Sequence, residues 1–122
     1  MALSSELYIV EGKRTPFCKM GTSLAQESAA SLGISAAKAV LAESGISPSL
    51  IDEVIFGCVG QPAREMNVAR IIGVRAGIPE SIPAVTLHRN CASGMEAVTY
   101  ASAKAAAGKG NIFLVGGAEN MS

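Results

Sequence analysis

Cys91 is the most reactive group the sequence offers, and it stands in the run Asn90-Cys91-Ala92-Ser93-Gly94-Met95-Glu96-Ala97. The apolar residues Ile82 to Leu87 lead into it and read as a strand, and an Ala-rich run leaves it and reads as a helix. A thiol at such a turn meets the first backbone N–H groups of a helix. These have no intrahelical partners, and the aligned peptide dipoles favour negative charge there. The position stabilises a thiolate, the nucleophilic form of cysteine. The same N–H groups can hold the oxyanion of a tetrahedral intermediate. Ala92, Ser93 and Gly94 keep bulk low, so a substrate can approach closely. The bland alternative is that any cysteine packs as an inert small hydrophobe.

Other groups near this turn are weighed against it. His88, the only histidine, lies three residues before Cys91. A Cys–His pair requires side chains within hydrogen-bond reach. A lone histidine is more often a structural or interface residue, and His88 is read as one. Glu96 lies early in the helix, where a carboxylate complements the dipole. It would oppose a thiolate if it pointed inward, so it is expected to point away or to pair. Cys58 falls in an apolar run and reads as a packed core residue. Arg70 and Arg75 read as solvated or interface charges.

The elements that must position these groups alternate. Leu7 to Val10 predicts a first strand, which Pro16 cannot continue as a central one. Ser23 to Ser44 predicts a helix, with Ser23 and Gln26 in a capping-box pattern and Gly45 closing it. A turn follows Ser47-Pro48, with one helical turn over Ser49 to Ile51. Glu53 to Val59 is nearly all apolar and predicts a strand covered on both faces. Asn67 to Ala76 predicts a second helix, Ala84 to Leu87 a third strand, Ser93 to Ala107 a third helix and Asn111 to Val115 a fourth strand. This alternation argues for a layered α/β domain with a mostly parallel sheet and helices on both faces. Glu119 and Asn120 follow the last strand, at the carboxyl end where open α/β sheets place ligands.

Composition bounds the rest. The 122 residues are the size of one domain, and 49% are hydrophobic with few aromatics, so the core is aliphatic. Ten basic and ten acidic residues balance, which favours neither nucleic acid nor an anionic membrane surface. No run reaches the roughly 18 apolar residues of a membrane span, and the first residues lack a signal-peptide pattern. Cys18, Cys58 and Cys91 have no metal-ligand spacing, so no metal is expected, and free thiols suit a reducing compartment such as the cytoplasm.

Four stretches, in order, resemble the thiolase family. Val85 to Ala97 is similar to its nucleophile segment. Arg14-Thr15-Pro16-Phe17, with Lys19 and Gly21, resembles its RTP-F-G-K motif. Asn67-Val68-Ala69-Arg70 with Ala76-Gly77-Ile78-Pro79 resembles its N-x-A-R…AG-(I/L)-P helix, and Gly116 to Ser122 its GG-x-E-x-MS motif. The resemblance implies the N-terminal half of a layered thiolase fold over residues 1–122. It implies an enzyme that moves acyl groups between coenzyme A thioesters, by cleaving a 3-ketoacyl-CoA or condensing two acyl-CoA molecules. Acetyl-CoA acetyltransferase is favoured over a long-chain 3-ketoacyl-CoA thiolase. Cys91 matches the nucleophile that becomes acylated. Coenzyme A is a substrate, no cofactor is tightly bound, and a homodimer or homotetramer is expected.

The resemblance also implies that the activating histidine, a second cysteine and much of the CoA surface lie in later sequence. The chain is thus expected to be the first part of a longer protein and to turn over little by itself. A mitochondrial or peroxisomal parent stays open beside a cytoplasmic one. Three residues depart from the pattern: His88 where Asn or a small polar residue is usual, and Cys18 and Thr22 where Gly is common. Rival readings are a ketoacyl-synthase-type condensing enzyme, a non-catalytic CoA- or lipid-binding homologue and a dimerisation module. The RTP and GG-x-E-x-MS motifs favour the thiolase.

Overall fold

Glu53–Gly57 forms the central strand, β1, and all five of its residues are buried. A strand flanked on both edges and covered on both faces needs such an apolar run. The computed structural model describes residues 6–122. Around β1 stand the helices α1 (Ala29–Ser44), α2 (Val68–Ala76) and α3 (Ser93–Ala106), and the strands β2 (Ala84–Leu87) and β3 (Phe113–Gly117). Short 3-10 turns cover Pro48–Leu50 and Ala63–Glu65. The strand order is β2-β1-β3 and every pair is parallel. In register, Ile55 lies between Val85 and Val115, and Gly57 between Leu87 and Gly117.

Side chains alternate across β1, and each face meets a different helical layer. Val54 and Phe56 join one core with Ala30 and Ala37 of α1 and Val68, Ala69 and Ile72 of α2. Ile55 joins the other with Ala97 and Ala101 of α3. Helices therefore cover both faces of a parallel sheet, as the alternation predicts. The small side chains of α3 let it lie close to β1, and α3 carries the chain from β2 across β1 to β3.

The central strand ends at Gly57, two residues before the expected Val59, and three larger differences from expectation each have a physical reason. Leu7–Val10 forms no strand. Ile9 is 88% exposed, and no strand of the described sheet pairs with the segment. Four apolar residues without a partner edge do not hold a strand. The first helix starts at Ala29, not Ser23, because Ser28 and Ser31 close the capping box. The Ser28 side chain accepts from the Ser31 amide, and the Ser31 side chain from the Ser28 amide, both at 3.0 Å. Gly45 does close this helix in the left-handed region, at φ 68°.

The last strand starts two residues late. The Asp52 carboxylate accepts from the amides of Asn111 (2.6 Å) and Ile112 (3.0 Å) and holds them out of the ladder. Those two amides also hold the Asp52 carboxyl below its ordinary range. A depressed carboxyl stabilises the fold above its unfolded value, and the contribution fades as pH falls through the folded value. Asp52→Ala is therefore expected to lower stability at neutral pH by about 1 kcal/mol, given the exposed site. The difference from the parent should shrink in acid. Equal denaturation midpoints at neutral pH would contradict this.

Candidate active site

The turn after β2 is held by a buried serine. Ser93 Oγ accepts from the Arg89 amide at 2.8 Å and donates to the Asn90 carbonyl at 2.7 Å. The amides of Ala92 and Ser93 donate to the carbonyls of Arg89 (3.0 Å) and Asn90 (3.1 Å). Asn90 takes the left-handed conformation, with φ 46°, which asparagine tolerates better than most residues. Cys91 sits inside this frame, exposed, one residue before the N-cap Ala92 of α3. Among the described residues, the amides of Gly94 and Met95 take no hydrogen-bond partner. The first turn of α3 thus has free donors beside an accessible thiol.

Two glycines seat this helix start on the sheet. A Cβ on Gly57 would lie 2.2 Å from the Ser93 carbonyl carbon and oxygen. A Cβ on Gly117 would lie 3.1 Å from the Cα of Gly94. The carboxyl ends of β1 and β3 are therefore bare backbone, and the N-terminus of α3 rests directly on them.

A cleft of about 920 Å³ opens at these strand ends. Its walls include Lys13–Met20, Gly57–Val59, Cys91, Gly94 and Gly117–Ser122. Three of the four stretches singled out in the sequence thus meet at one cavity. Glu119 ties the wall together, accepting from the amides of Val59 (2.8 Å) and Gly60 (3.1 Å). Asn120 Nδ2 donates to the carbonyls of Leu24 (3.1 Å) and Glu27. The Gly21 amide donates to Ser122 Oγ at 2.9 Å, joining the first stretch to the last.

The fourth stretch lies behind the site and holds β2. Thr86 Oγ1 donates to Asn67 Oδ1 at 2.8 Å and accepts from the Ala69 amide at 3.0 Å. Asn67 Nδ2 donates to the Ala84 carbonyl at 3.2 Å. Arg70, read from sequence as a solvated or interface charge, instead donates to the carbonyls of Ile82 (2.9 Å) and Glu80 (2.7 Å). Its fork fits two carbonyls that precede the strand. Sequence reasoning missed Thr86 and this role of Arg70. The only signal available was an Asn and an Arg one helical turn apart.

The remaining groups divide as their surroundings dictate. His88 Nδ1 accepts from the Asn90 amide at 3.2 Å. The Nδ1 lone pair is thus turned to the Asn90 amide, and among the described residues no hydrogen bond joins His88 to Cys91. His88→Asn should leave the alkylation rate of Cys91 within about twofold of the parent; a fall beyond about tenfold near neutral pH would make His88 the base. Glu96 pairs with Arg89, as expected for a carboxylate so placed. Cys58 is buried, and its thiol donates to the Gly60 carbonyl at 3.7 Å. Burial first, then the charges of Glu119 and Glu65, push that thiol up to about 11. Cys18 is partly buried and lines the same cleft as Cys91. Among the described residues, no group of three or more His, Cys, Asp or Glu could hold a metal ion. None of their helices is long and apolar enough to cross a membrane.

The family described as "Thiolase, N-terminal domain" matches residues 7–122. Beta-ketoadipyl-CoA thiolase from Pseudomonas knackmussii is 41% identical over 122 residues, covering 98% of this chain and 30% of that protein. Acetyl-CoA acetyltransferase from Syntrophomonas wolfei is 39% identical over 119 residues, again covering 98% and 30%. Among solved structures, the Bacillus anthracis acetyl-CoA acetyltransferase superposes with a TM-score of 0.85 at 29% identity, over 89% of this chain and 28% of that one. Human mitochondrial 3-ketoacyl-CoA thiolase in complex with CoA gives 0.83 at 36% identity, over 87% and 27%. The chain spans about 30% of the length of the curated relatives it matches.

Proposed function

The chain belongs to the thiolase family, and from that membership we propose that it carries the nucleophile of an acyl transfer between coenzyme A thioesters. Cys91 attacks a carbonyl carbon of the acyl-CoA substrate and becomes acylated. The acyl group then passes to coenzyme A, or to the enolate of a second acyl-CoA. Dividing the exchange this way replaces one difficult carbon–carbon step by two easier ones. The observation that carries the proposal is the seat of Cys91: an exposed thiol at the start of α3, on the wall of a 920 Å³ cleft, beside unpartnered amides. Those amides are suited to an oxyanion that forms on the attacked carbonyl.

Coenzyme A enters as a substrate, which accords with a CoA complex among the similar structures. Acetyl-CoA acetyltransferase is the favoured activity within the family, with cleavage and condensation both open to the same acyl-enzyme. The activating histidine and second cysteine that the family implies are not among these residues. These 122 residues alone are therefore expected to show little turnover. A homodimer or homotetramer is the expected assembly. The outer edge of β2 is unpaired in the described sheet, and Met66 and Met95 stand 69% exposed. Three free thiols suit the cytoplasm.

The test is an acyl adduct. The protein bearing this chain is incubated with acetoacetyl-CoA, quenched in acid and digested, and the Cys91 peptide is expected to gain one acetyl group. An adduct confined to another residue, or none under turnover, would remove Cys91 from the reaction.

A further inference from the structure

The stretch Asn67 to Arg70 stands out in the sequence, yet the acyl transfer proposed above gives it no part. Neither Asn67 and Arg70 nor their partner Thr86 is on the wall of the cleft. Their contacts follow a pattern. Every second residue on the way into and along β2 is tied to this stretch. Arg70 donates to the carbonyls of Glu80 and Ile82, Asn67 Nδ2 donates to that of Ala84, and Asn67 Oδ1 accepts from the Thr86 hydroxyl. The residues between are held by β1. The Val54 amide donates to the Pro83 carbonyl and the Cys58 amide to the Leu87 carbonyl, both at 3.0 Å.

The start of α2 gives up its own cap to make these bonds. Asn67 is the N-cap, in the left-handed region at φ 51°, and its side chain makes no cap bond. An asparagine at an N-cap ordinarily accepts from an amide of the first turn. Here both ends of the side chain go to β2, and the Thr86 hydroxyl accepts from the Ala69 amide in its place. The strand caps the helix, and the helix clasps the strand. The helix side of this clasp is rigid, because Val68, Ala69 and Ile72 are 0% exposed. The strand side needs it, because β2 is an edge strand of the described sheet with β1 on one side only.

We propose that Thr86 and Arg70 are positioning residues for Cys91, which fix β2 along its axis and so set where the Cys91 turn meets the first turn of α3. The path is short. Leu87 follows Thr86 and is held by Cys58, and Arg89 and Asn90 come next and are held by Ser93. Removing the Thr86 hydroxyl leaves the Ala69 amide and Asn67 Oδ1 without this partner, and β2 shifts to admit water to them. A displacement of about 1 Å at a nucleophile costs up to about a hundredfold in rate. The effect on turnover rests on the acyl-transfer reading; the effect on the thiol does not.

The test uses the protein bearing this chain and its Thr86→Val, Thr86→Ser, Arg70→Lys and Asp52→Ala variants. Valine keeps the shape and removes the hydroxyl. Lysine keeps the charge and loses the fork that reaches two carbonyls. Asp52→Ala loosens the sheet where β3 begins and serves as the measure of lost stability alone. For each, kcat and KM for acetoacetyl-CoA cleavage, the rate of Cys91 alkylation by iodoacetamide and the unfolding midpoint are measured.

Thr86→Val should slow Cys91 alkylation and lower kcat by about tenfold, with KM within about twofold of the parent. Thr86→Ser should restore both to within about twofold. Arg70→Lys should slow both in the same direction, and it decides the matter if Thr86→Val does not fold. Asp52→Ala should lose stability with Cys91 alkylation unchanged. Parent-like alkylation in Thr86→Val and Arg70→Lys would overturn the proposal. So would a Thr86→Ser protein as slow as Thr86→Val, or an Asp52→Ala protein slowed as much as Thr86→Val at comparable loss of stability. If Cys91 of the parent takes no acetyl group while Thr86→Val still slows its alkylation, the acyl-transfer reading fails and the positioning role stands.

Discussion

Cys91→Ala is expected to lower kcat for acetoacetyl-CoA cleavage by about a thousandfold or more, with the fold intact. Alanine removes the sulfur to which the proposed mechanism attaches the acyl group. The side chain is exposed and donates to none of the bonds that define its turn. The melting temperature should therefore hardly move. KM should change far less than kcat, because the lost interaction belongs to bond formation and not to binding. Cys91→Ser is the sharper comparison. It is nearly isosteric, yet an alcohol is a much weaker nucleophile than a thiolate near neutral pH. A serine variant that kept more than about a tenth of the activity would mean that another residue carries the acyl group.

Gly57→Ala should have the largest effect among substitutions outside the cysteine. The added carbon would meet the carbonyl carbon and oxygen of Ser93 at 2.2 Å. Those are backbone atoms in a helix, so no flexible side chain can swing aside. Either α3 lifts from β1 or the strand end bends. The expected loss is about 3 kcal/mol, the upper part of the range for overpacking. Because Ser93 fixes Arg89 and Asn90 around Cys91, the displacement should also slow Cys91 alkylation and lower kcat. Gly12→Ala is the control. A carbon there meets nothing within 4 Å, and stability should stay within about 0.5 kcal/mol of the parent. Unfolding in denaturant, followed with both variants, decides the matter. A Gly57→Ala protein as stable as the Gly12→Ala one would mean that the helix does not rest on the strand end.

Periodicity made the layers legible. The unbroken apolar run of β1 announced a doubly covered strand, and the Ala-rich α3 announced close packing. The Cys91 turn stood out because residue types on either side switch from strand to helix. What stayed hidden depended on partners distant in sequence. Leu7–Val10 has strand composition, but composition cannot supply a neighbouring edge. Asn111 and Ile112 have it too, but Asp52 captures their amides from 59 and 60 residues away. Thr86 and Arg70 brace β2 through contacts that no local pattern encodes. The competing boxes at Ser23 and Ser28 differ only in which serine finds its mate, and Ser31 decided it.

The strand order also fixes when the cleft can exist during synthesis. β1 is the central strand, yet its partner β3 is translated only after α2, β2 and α3. The bonds that close the cleft are more distant still, joining Gly21 to Ser122 across 101 positions and Leu24 to Asn120 across 96. Contacts of such separation make contact order high and folding slow. A nascent chain emerges with one edge of its most apolar strand bare, a surface that invites aggregation. The wall of the cleft is therefore the last part of the described sheet and its helices to assemble.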